Sequence, residues 1–512
     1  MTFLEERNMT QVPDIKEYFK GKNIFITGGS GFMGKVLIEK LLYSCTDLKQ
    51  IYVLLRPKKG ISPEDRISTL YESECYDRLR KEKPDVFMAK VSAVAGDVGE
   101  IRLGISDADR ALLVRNVNII FHVAASVRFD DTLDRAVKLN LRGTKEMIDL
   151  AYEMPQLESF VHVSTSYSNV NQNCISETMY PPHADWRQTI DVCQTMDKHS
   201  LEILTPKYLG ELPNTYVFTK QLAEHVVYEQ KGKMPIIITR PSIVVSAYEE
   251  PLRGWNENLN GPTGILIAVG KGVLRTVYGK PDLVADYIPV DFVIKHLIAA
   301  AWIRGTKKLE LTDDIPVYNC CAGNLKTVTT KEFGDIGFKY ISELPLDDNM
   351  WGCSDDVTSS RFMFFLSVIF KHLLPALVID TILKLAGKEP RLVKIQRRIY
   401  NVFVALESFL LHQFNFYNNN FVDLRSAIKK SDKDEFYYDL ENLDYLEHMK
   451  RSTLGARRYI LKEKDEDIPK AVRHFKIMTA CQKTTPYLFY VTLIWWSFNS
   501  GLVQQYLELL LL

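Results

Sequence analysis

The eight residues Thr27–Gly34, TGGSGFMG, lie between the apolar run NIFI and the amphipathic run KVLIEKLL. Nothing else in the chain constrains its fold as strongly. Glycine at every third position lets a chain leave a strand through a tight turn and enter a helix at once. In that setting Gly28 takes the turn, Gly31 lets backbone amides approach a pyrophosphate, and Gly34 allows close helix packing. The helix N-terminus adds partial positive charge for the phosphates. With Thr27, Ser30, Phe32 and Met33, these glycines form the expected dinucleotide-binding turn.

The turn opens a long alternating region. Between Lys22 and about Val244 the apolar runs NIFIT, QIYVLLR, KVSAVAGD, VNIIFHVAA, ESFVHVST and PIIITRP are each followed by a polar or amphipathic stretch. Such alternation predicts crossover units and a doubly wound parallel sheet of Rossmann type, in an α/β fold covered by helices on both faces. A binding domain over 15–245 follows. Texture changes at GWNENLNGPTG, so 246–350 reads as a smaller substrate lobe, and 355–460 as a mainly helical C-terminal domain.

The end of the second strand indicates which dinucleotide is held. An acidic residue there would accept from the ribose hydroxyls of NAD, but IYVLL ends in Arg56, with Lys58 and Lys59 close behind. A guanidinium pairs with a 2′-phosphate where a carboxylate repels it, which points to NADPH. Asp97, after the third strand, can accept from the adenine amino group or serve a turn. The small pair Ala124 and Ala125, after the fourth strand, lets that backbone lie close to the cofactor.

Tyr216 and Lys220 stand four residues apart, hence on one helix face. The spacing recurs at Tyr18 and Lys22, but only Tyr216 falls between the fifth and sixth strands, where a helix can carry it to the nicotinamide. A free phenol with pKa of about 10 exchanges protons poorly at neutral pH. A neighbouring ammonium is expected to lower that value and to hold the nicotinamide ribose. The strand ESFVHVST ends in hydroxyls, of which Thr165 is the expected donor to the substrate oxygen and Ser164 the reserve. Asn140 sits in a helix expected to cross beneath this site.

Composition excludes other classes. The 64 basic residues equal the 64 acidic ones, so no bulk attraction draws this chain to nucleic acid. Eight scattered cysteines without Cys-x-x-Cys spacing suggest neither a zinc site nor a disulfide framework. No metal is expected. The polar N-terminus lacks a secretory or mitochondrial leader pattern. Two segments are greasy: 361–383, interrupted by Lys371, His372 and Pro375, and 484–512, an expected membrane-anchoring tail. Those interruptions argue against a clean span in the first, which is expected to lie in the interface, re-enter or pack as core. Arg473, Lys476 and Lys483 precede the tail, which leaves the catalytic part facing the cytosol.

Together TGGSGFMG, AGD, HVAASVRFD, VHVSTSY, PNTYVFTK, RPSIV, GWNENLNGPTG and YIPVD resemble the fatty acyl-CoA reductases of the extended short-chain dehydrogenase/reductase superfamily. The resemblance covers about residues 15–460. It implies NADPH-dependent reduction of long-chain acyl-CoA to a primary alcohol through an aldehyde, at a membrane bilayer. It also implies a catalytic group of Tyr216, Lys220 and Thr165 with Asn140 in support. The endoplasmic reticulum is the expected membrane, with peroxisome or lipid droplet as alternatives. Rival readings are a reductase or epimerase acting on a nucleotide sugar or sterol, an inactive membrane interaction protein, and a lipid-transfer protein. The largely apolar PTGILIAVGKGVL at 262–274 argues against a sugar site.

Overall fold

The computed structural model describes residues 12–500 apart from 58, 59, 309, 311, 312 and 355. The chain forms two compact units that interleave along the sequence instead of following consecutive blocks. The first gathers the chain up to Asn258, Asp282–Thr329 and Ala405–Gly455; the second gathers Leu259–Pro281, Thr330–Val404 and the chain from Ala456 onward.

The first unit is built on seven parallel strands: β1 (Asn23–Thr27), β2 (Gln50–Leu55), β3 (Val91–Ala95), β4 (Ile119–His122), β5 (Ser159–Val163), β6 (Ile236–Pro241) and β7 (Val317–Cys320). Their order is β7-β6-β5-β4-β1-β2-β3, with every pairing parallel. β1, β4, β5 and β6 are buried throughout, as continuous apolar runs between two helical layers must be. The doubly wound α/β fold is as the sequence predicts.

Strand order reverses between β1 and β4. The chain winds outward through β2 and β3, then returns to lay β4 on the other side of β1, opening a crevice at the C-terminal strand ends where ligands of such sheets bind. The glycine turn follows β1 and runs into α1 (Phe32–Ser44). Helix α2 (Thr215–Tyr228) connects β5 to β6 and starts at Asn214, whose side chain accepts from Val217 N–H at 2.9 Å. Helix α3 (Val290–Gly305) is buried almost all round and precedes β7. That last strand lies in the stretch read from sequence as substrate lobe; four residues, VYNC, give too little pattern to signal a strand.

The second unit is mainly helical. Helix α4 (Arg361–Leu385) runs unbroken for 25 residues, loosening into a π-type stretch at Val368–Leu373 just before Pro375. It is followed by α5 (Leu392–Leu411), whose residues from Ala405 onward belong to the first unit, and by α6 (Ile468–Asn499). Phe475, early in α6, packs with Ile341 and Cys353. Further along, Tyr487, Trp495 and Trp496 are exposed. Among the described residues α4 alone is long and apolar enough to cross a membrane. Residues 501–512 of the expected tail lie outside the described residues.

Candidate active site

Gly28 adopts φ +74°, and a Cβ on it would lie 2.7 Å from Ala124 N. The glycine turn and the backbone after β4 thus lie directly against each other at Ala124. A Cβ on Gly34 would sit 2.2 Å from Gly28 O, so only glycine lets α1 rest against the turn. Gly31 occupies the position before α1 with no capping side chain, and no acidic residue stands in the first turn. The amides of Phe32, Met33 and Gly34 thus open a helix with its partial positive charge uncompensated, a seat that suits a pyrophosphate. Ser30 and Gly31 are exposed at its rim, and Phe32 stacks on Trp255 with centroids 5.2 Å apart.

Thr27 faces the other way. Its hydroxyl lies 2.8 Å from His122 Nδ1 and accepts from Ala124 N–H at 3.3 Å, so the side chain braces the turn from below. His122 reaches Thr144 Oγ1 at 3.1 Å with its other nitrogen. Burial, reinforced by Lys220, pushes this imidazole down to about 3, so it serves as a neutral strut. Sequence reading missed it, since a histidine inside an apolar strand carries no signal of its own.

At the ends of β2 and β3, Arg56 Nε is 3.2 Å from Asp97 Oδ2. Asp97 Oδ1 also accepts from Gly99 N–H at 2.9 Å, a turn role. Arg66 donates to the Arg56 carbonyl, adding a second guanidinium to this corner. Lys58 and Lys59 lie outside the described residues.

Across the crevice, the Tyr216 phenol is near the Thr165 hydroxyl, which donates to the Pro241 carbonyl at 3.4 Å and accepts from Tyr167 N–H at 3.3 Å. Lys220 follows one turn along α2 and donates from Nζ to the Val163 carbonyl at 2.7 Å. The sequence reading expected the ammonium to lower the phenol. Burial dominates instead and pushes Tyr216 up to about 12, with the Thr165 hydroxyl easing it. Burial likewise pulls Lys220 down to about 8, against the Glu224 carboxylate. Ser164 Oγ is buried without a protein partner, whereas Ser166 Oγ donates to the Arg240 carbonyl at 2.6 Å.

Asn140 is fully engaged. Its Nδ2 donates to Ser126 O and Thr219 Oγ1, each at 3.1 Å, while Oδ1 accepts from Ser126 N–H at 2.8 Å. It therefore ties the loop after β4 to α2. Beside Tyr216 stands an aromatic wall: Phe129 is 5.6 Å from its ring and 5.4 Å from Phe409, which in turn meets Tyr167 edge-on at 5.4 Å. None of these was legible as site residues, because Phe409 comes from a segment that returns to the sheet nearly two hundred residues after Tyr216.

An NAD-binding family model described as "Male sterility protein" matches residues 26–297, and a second model of the same description, Sterile, matches 371–463. "Fatty acyl-CoA reductase 1" of Homo sapiens is 37% identical over 463 residues, covering 90% of this chain and 88% of its own length. The chain belongs to the fatty acyl-CoA reductase family. A family member from Drosophila melanogaster, "Fatty acyl-CoA reductase wat", is 35% identical, covering 94% of each chain. The fold extends beyond the family. The terminal R domain of the myxalamid biosynthetic pathway superposes with TM-score 0.55 at 18% identity, over 85% of this chain and 90% of that one. The reductase domain of a nonribosomal peptide synthetase from Mycobacterium tuberculosis gives the same score and identity over 87% and 94%. A nicotinamide-dinucleotide-binding domain is thus common to the family model and the crevice geometry.

Proposed function

We infer that this chain is an oxidoreductase that reduces long-chain fatty acyl-CoA to a primary fatty alcohol with NADPH, through an aldehyde and with release of CoA. The observation that carries the reading is the grouping of Tyr216 with the Thr165 hydroxyl that acts on its phenol and with Lys220, one turn further along the same helix and bound to the end of β5 through the Val163 carbonyl. It occurs in a chain whose relatives are named fatty acyl-CoA reductases.

Gly28, Gly31 and Gly34 would hold the pyrophosphate, and Arg56 the 2′-phosphate. When bound, NADPH supplies hydride to the acyl carbon. The protein acts on the oxygen. Tyr216 and Thr165 donate to the thioester carbonyl and stabilise the negative charge that develops there, in a site dry enough to strengthen both bonds. A phenol held near 12 keeps its proton until that charge appears, then passes it on. Lys220 stabilises the phenolate left behind. Asn140 and His122 position the loop and the turn, and neither touches the reacting atoms. Expulsion of the CoA thiolate, with the hydroxyl proton returning to the Tyr216 phenolate, leaves an aldehyde, which the same donors polarise for a second reduction. Two NADPH and two protons are consumed per acyl-CoA, giving alcohol, CoA and two NADP+.

The aromatic wall of Phe129, Tyr167 and Phe409 suits an apolar acyl chain better than a sugar. Each methylene withdrawn from water contributes about 0.8 kcal/mol, so a long chain is best taken from and returned to a bilayer. The exposed apolar helices of the second unit support a membrane-bound enzyme with its catalytic unit on the cytosolic side, the endoplasmic reticulum being the membrane we assign.

Purified or microsomal protein with a panel of acyl-CoAs and either NADPH or NADH, products read by gas chromatography, tests the reading. Fatty alcohol is expected with NADPH, and almost none from Tyr216→Phe. Unchanged alcohol output from Tyr216→Phe, or turnover of UDP-sugars alone, would sink it.

A further inference from the structure

Helix α4 is fastened to its own unit along one face only. Phe364, Val368, His372, Ala376 and Asp380 recur every fourth residue and are buried. Phe364 stacks on Tyr278 with centroids 4.8 Å apart. Arg275 donates its backbone N–H to His372 Nε2 at 3.0 Å. The Asp380 carboxylate accepts from the backbone N–H groups of Arg391 and Leu392 at 3.0 Å and Val393 at 2.9 Å, capping α5. The opposite face is apolar and open: Phe370 is 61% exposed and Leu385 84%, with Leu374, Leu377 and Ile382 between them.

Twenty-five residues at about 1.5 Å each are long enough to cross a bilayer. The fastened face argues against a crossing. Tyr278 lies in a strand, Thr276–Tyr278, that pairs with Asp356–Thr358 in a two-stranded sheet, and Asp356 is also bound to Lys371 at 2.6 Å. A crossing α4 would carry these open sheet edges into hydrocarbon, where unpaired backbone groups find no partner. A helix lying flat buries its open face and leaves every one of those bonds in place.

The adjoining chain supplies matching charge. From Lys384 to Arg398 there are six basic residues and one acidic residue, Glu389. All six basic residues are exposed. An apolar ridge continuing into a basic segment suits a surface with an acyl interior and anionic headgroups.

We propose that α4 and the basic segment after it form an in-plane docking surface for an anionic lipid bilayer, entering one leaflet without crossing it. The proposal does not depend on the reductase chemistry. Single cysteines replacing Arg361, Leu374 or Lys388 are introduced into full-length protein in which the two exposed native cysteines, Cys174 and Cys481, are serine. The protein is reconstituted in sealed phosphatidylcholine vesicles with or without phosphatidylserine, and a membrane-impermeant maleimide is added outside. Both ends are expected to label. Leu374→Cys should label at least tenfold more slowly when phosphatidylserine is present, and Lys394→Glu/Arg397→Glu/Arg398→Glu should restore its labelling, each charge being worth about fivefold in binding. Protection of one end alone means a crossing and overturns the proposal. Equal labelling of Leu374→Cys in every vesicle overturns it too. Alcohol formation by the same variants, assayed separately, reports on the chemistry, so failure of one reading is distinguishable from failure of the other.

Discussion

Arg56 Nε lies 3.2 Å from Asp97 Oδ2, so the polar residues closing β2 and β3 hold each other. Three-fifths of the Arg56 side chain remains exposed, so its charge is still open to a ligand. Asp97 fixes where that charge points. Arg56→Ala should raise the KM for NADPH about 10- to 100-fold, the worth of hydrogen bonds to a charged group, and that for NADH far less. Equal losses with both cofactors would mean that Arg56 does not read the phosphate.

The three glycines of the turn differ in what they tolerate. A methyl on Gly34 meets the Gly28 backbone at 2.2 Å, and neither partner can yield without moving α1. A methyl on Gly31 meets the same carbonyl at 3.3 Å, which a shift of a few tenths of an ångström relieves. Gly34→Ala should therefore cost about 1–3 kcal/mol of stability and most cofactor affinity, while Gly31→Ala stays close to wild type in stability. Thermal denaturation and dinucleotide titration of the two variants give the ranking, and a reversed order would contradict the packing.

Thr165 and Ser164 are adjacent hydroxyls in unlike settings. The Thr165 hydroxyl is bound to Pro241 O and Tyr167 N–H and acts on the nearby phenol; Ser164 Oγ is buried without a protein partner. Removing one oxyanion donor costs about 10²–10³ in kcat. Thr165→Val should show that loss and Thr165→Ser should largely avoid it, with Ser164→Ala milder than Thr165→Val. A steady-state comparison in which Ser164→Ala is the worse variant would shift the donor to its neighbour.

Burial holds Lys220 near 8 instead of its ordinary 10.5. The ammonium is therefore lost as pH rises through about 8, and kcat/KM should fall on that limb if the charge supports the phenolate. Stability moves the other way. Between about 8 and 10.5 the unfolded chain binds the extra proton, so stability rises with pH across that window, and the cost of burying the charge is complete below it. Buried cysteines and tyrosines held above their ordinary values pull the other way, so the rise is read as the stability of wild type relative to Lys220→Met, which denaturant titrations should show increasing across this window. A kcat/KM profile flat from neutrality to pH 10 would remove Lys220 from the proton chemistry.

Much of this was readable in the chain because it is local. Six of seven strands are continuous apolar runs, and the glycine turn, Tyr216–Lys220 and the hydroxyls after β5 each lie within one element or its exit. What escaped depends on pairing across distance. The Arg56–Asp97 bond joins two strand ends, Asn140 is defined by Ser126 and Thr219, and His122 works only because Thr27 and Thr144 flank it. β7 is too short to show periodicity. Interleaving of the two units followed from chain returns at Asp282 and Ala405 that no composition shift marks.

Phe409 is the clearest such case, since it reaches Phe129 and Tyr167 from a helix far along the chain. Phe129 packs against Tyr216 directly, whereas Phe409 packs against Phe129 and Tyr167. If the wall carries the acyl chain, the two rings should separate kinetically. Phe409→Ala removes apolar surface worth about 1.5–3 kcal/mol, so KM for long-chain acyl-CoA should rise about 10- to 100-fold with kcat nearly kept. Short-chain acyl-CoA, which leaves more of the wall uncovered, should be affected less. Phe129→Ala should instead lower kcat for every chain length, because the phenol loses the ring that packs against it. Chain-length series on both variants decide the matter: a Phe409→Ala enzyme whose KM rises equally for short and long chains would show that the wall supports the fold and not the substrate.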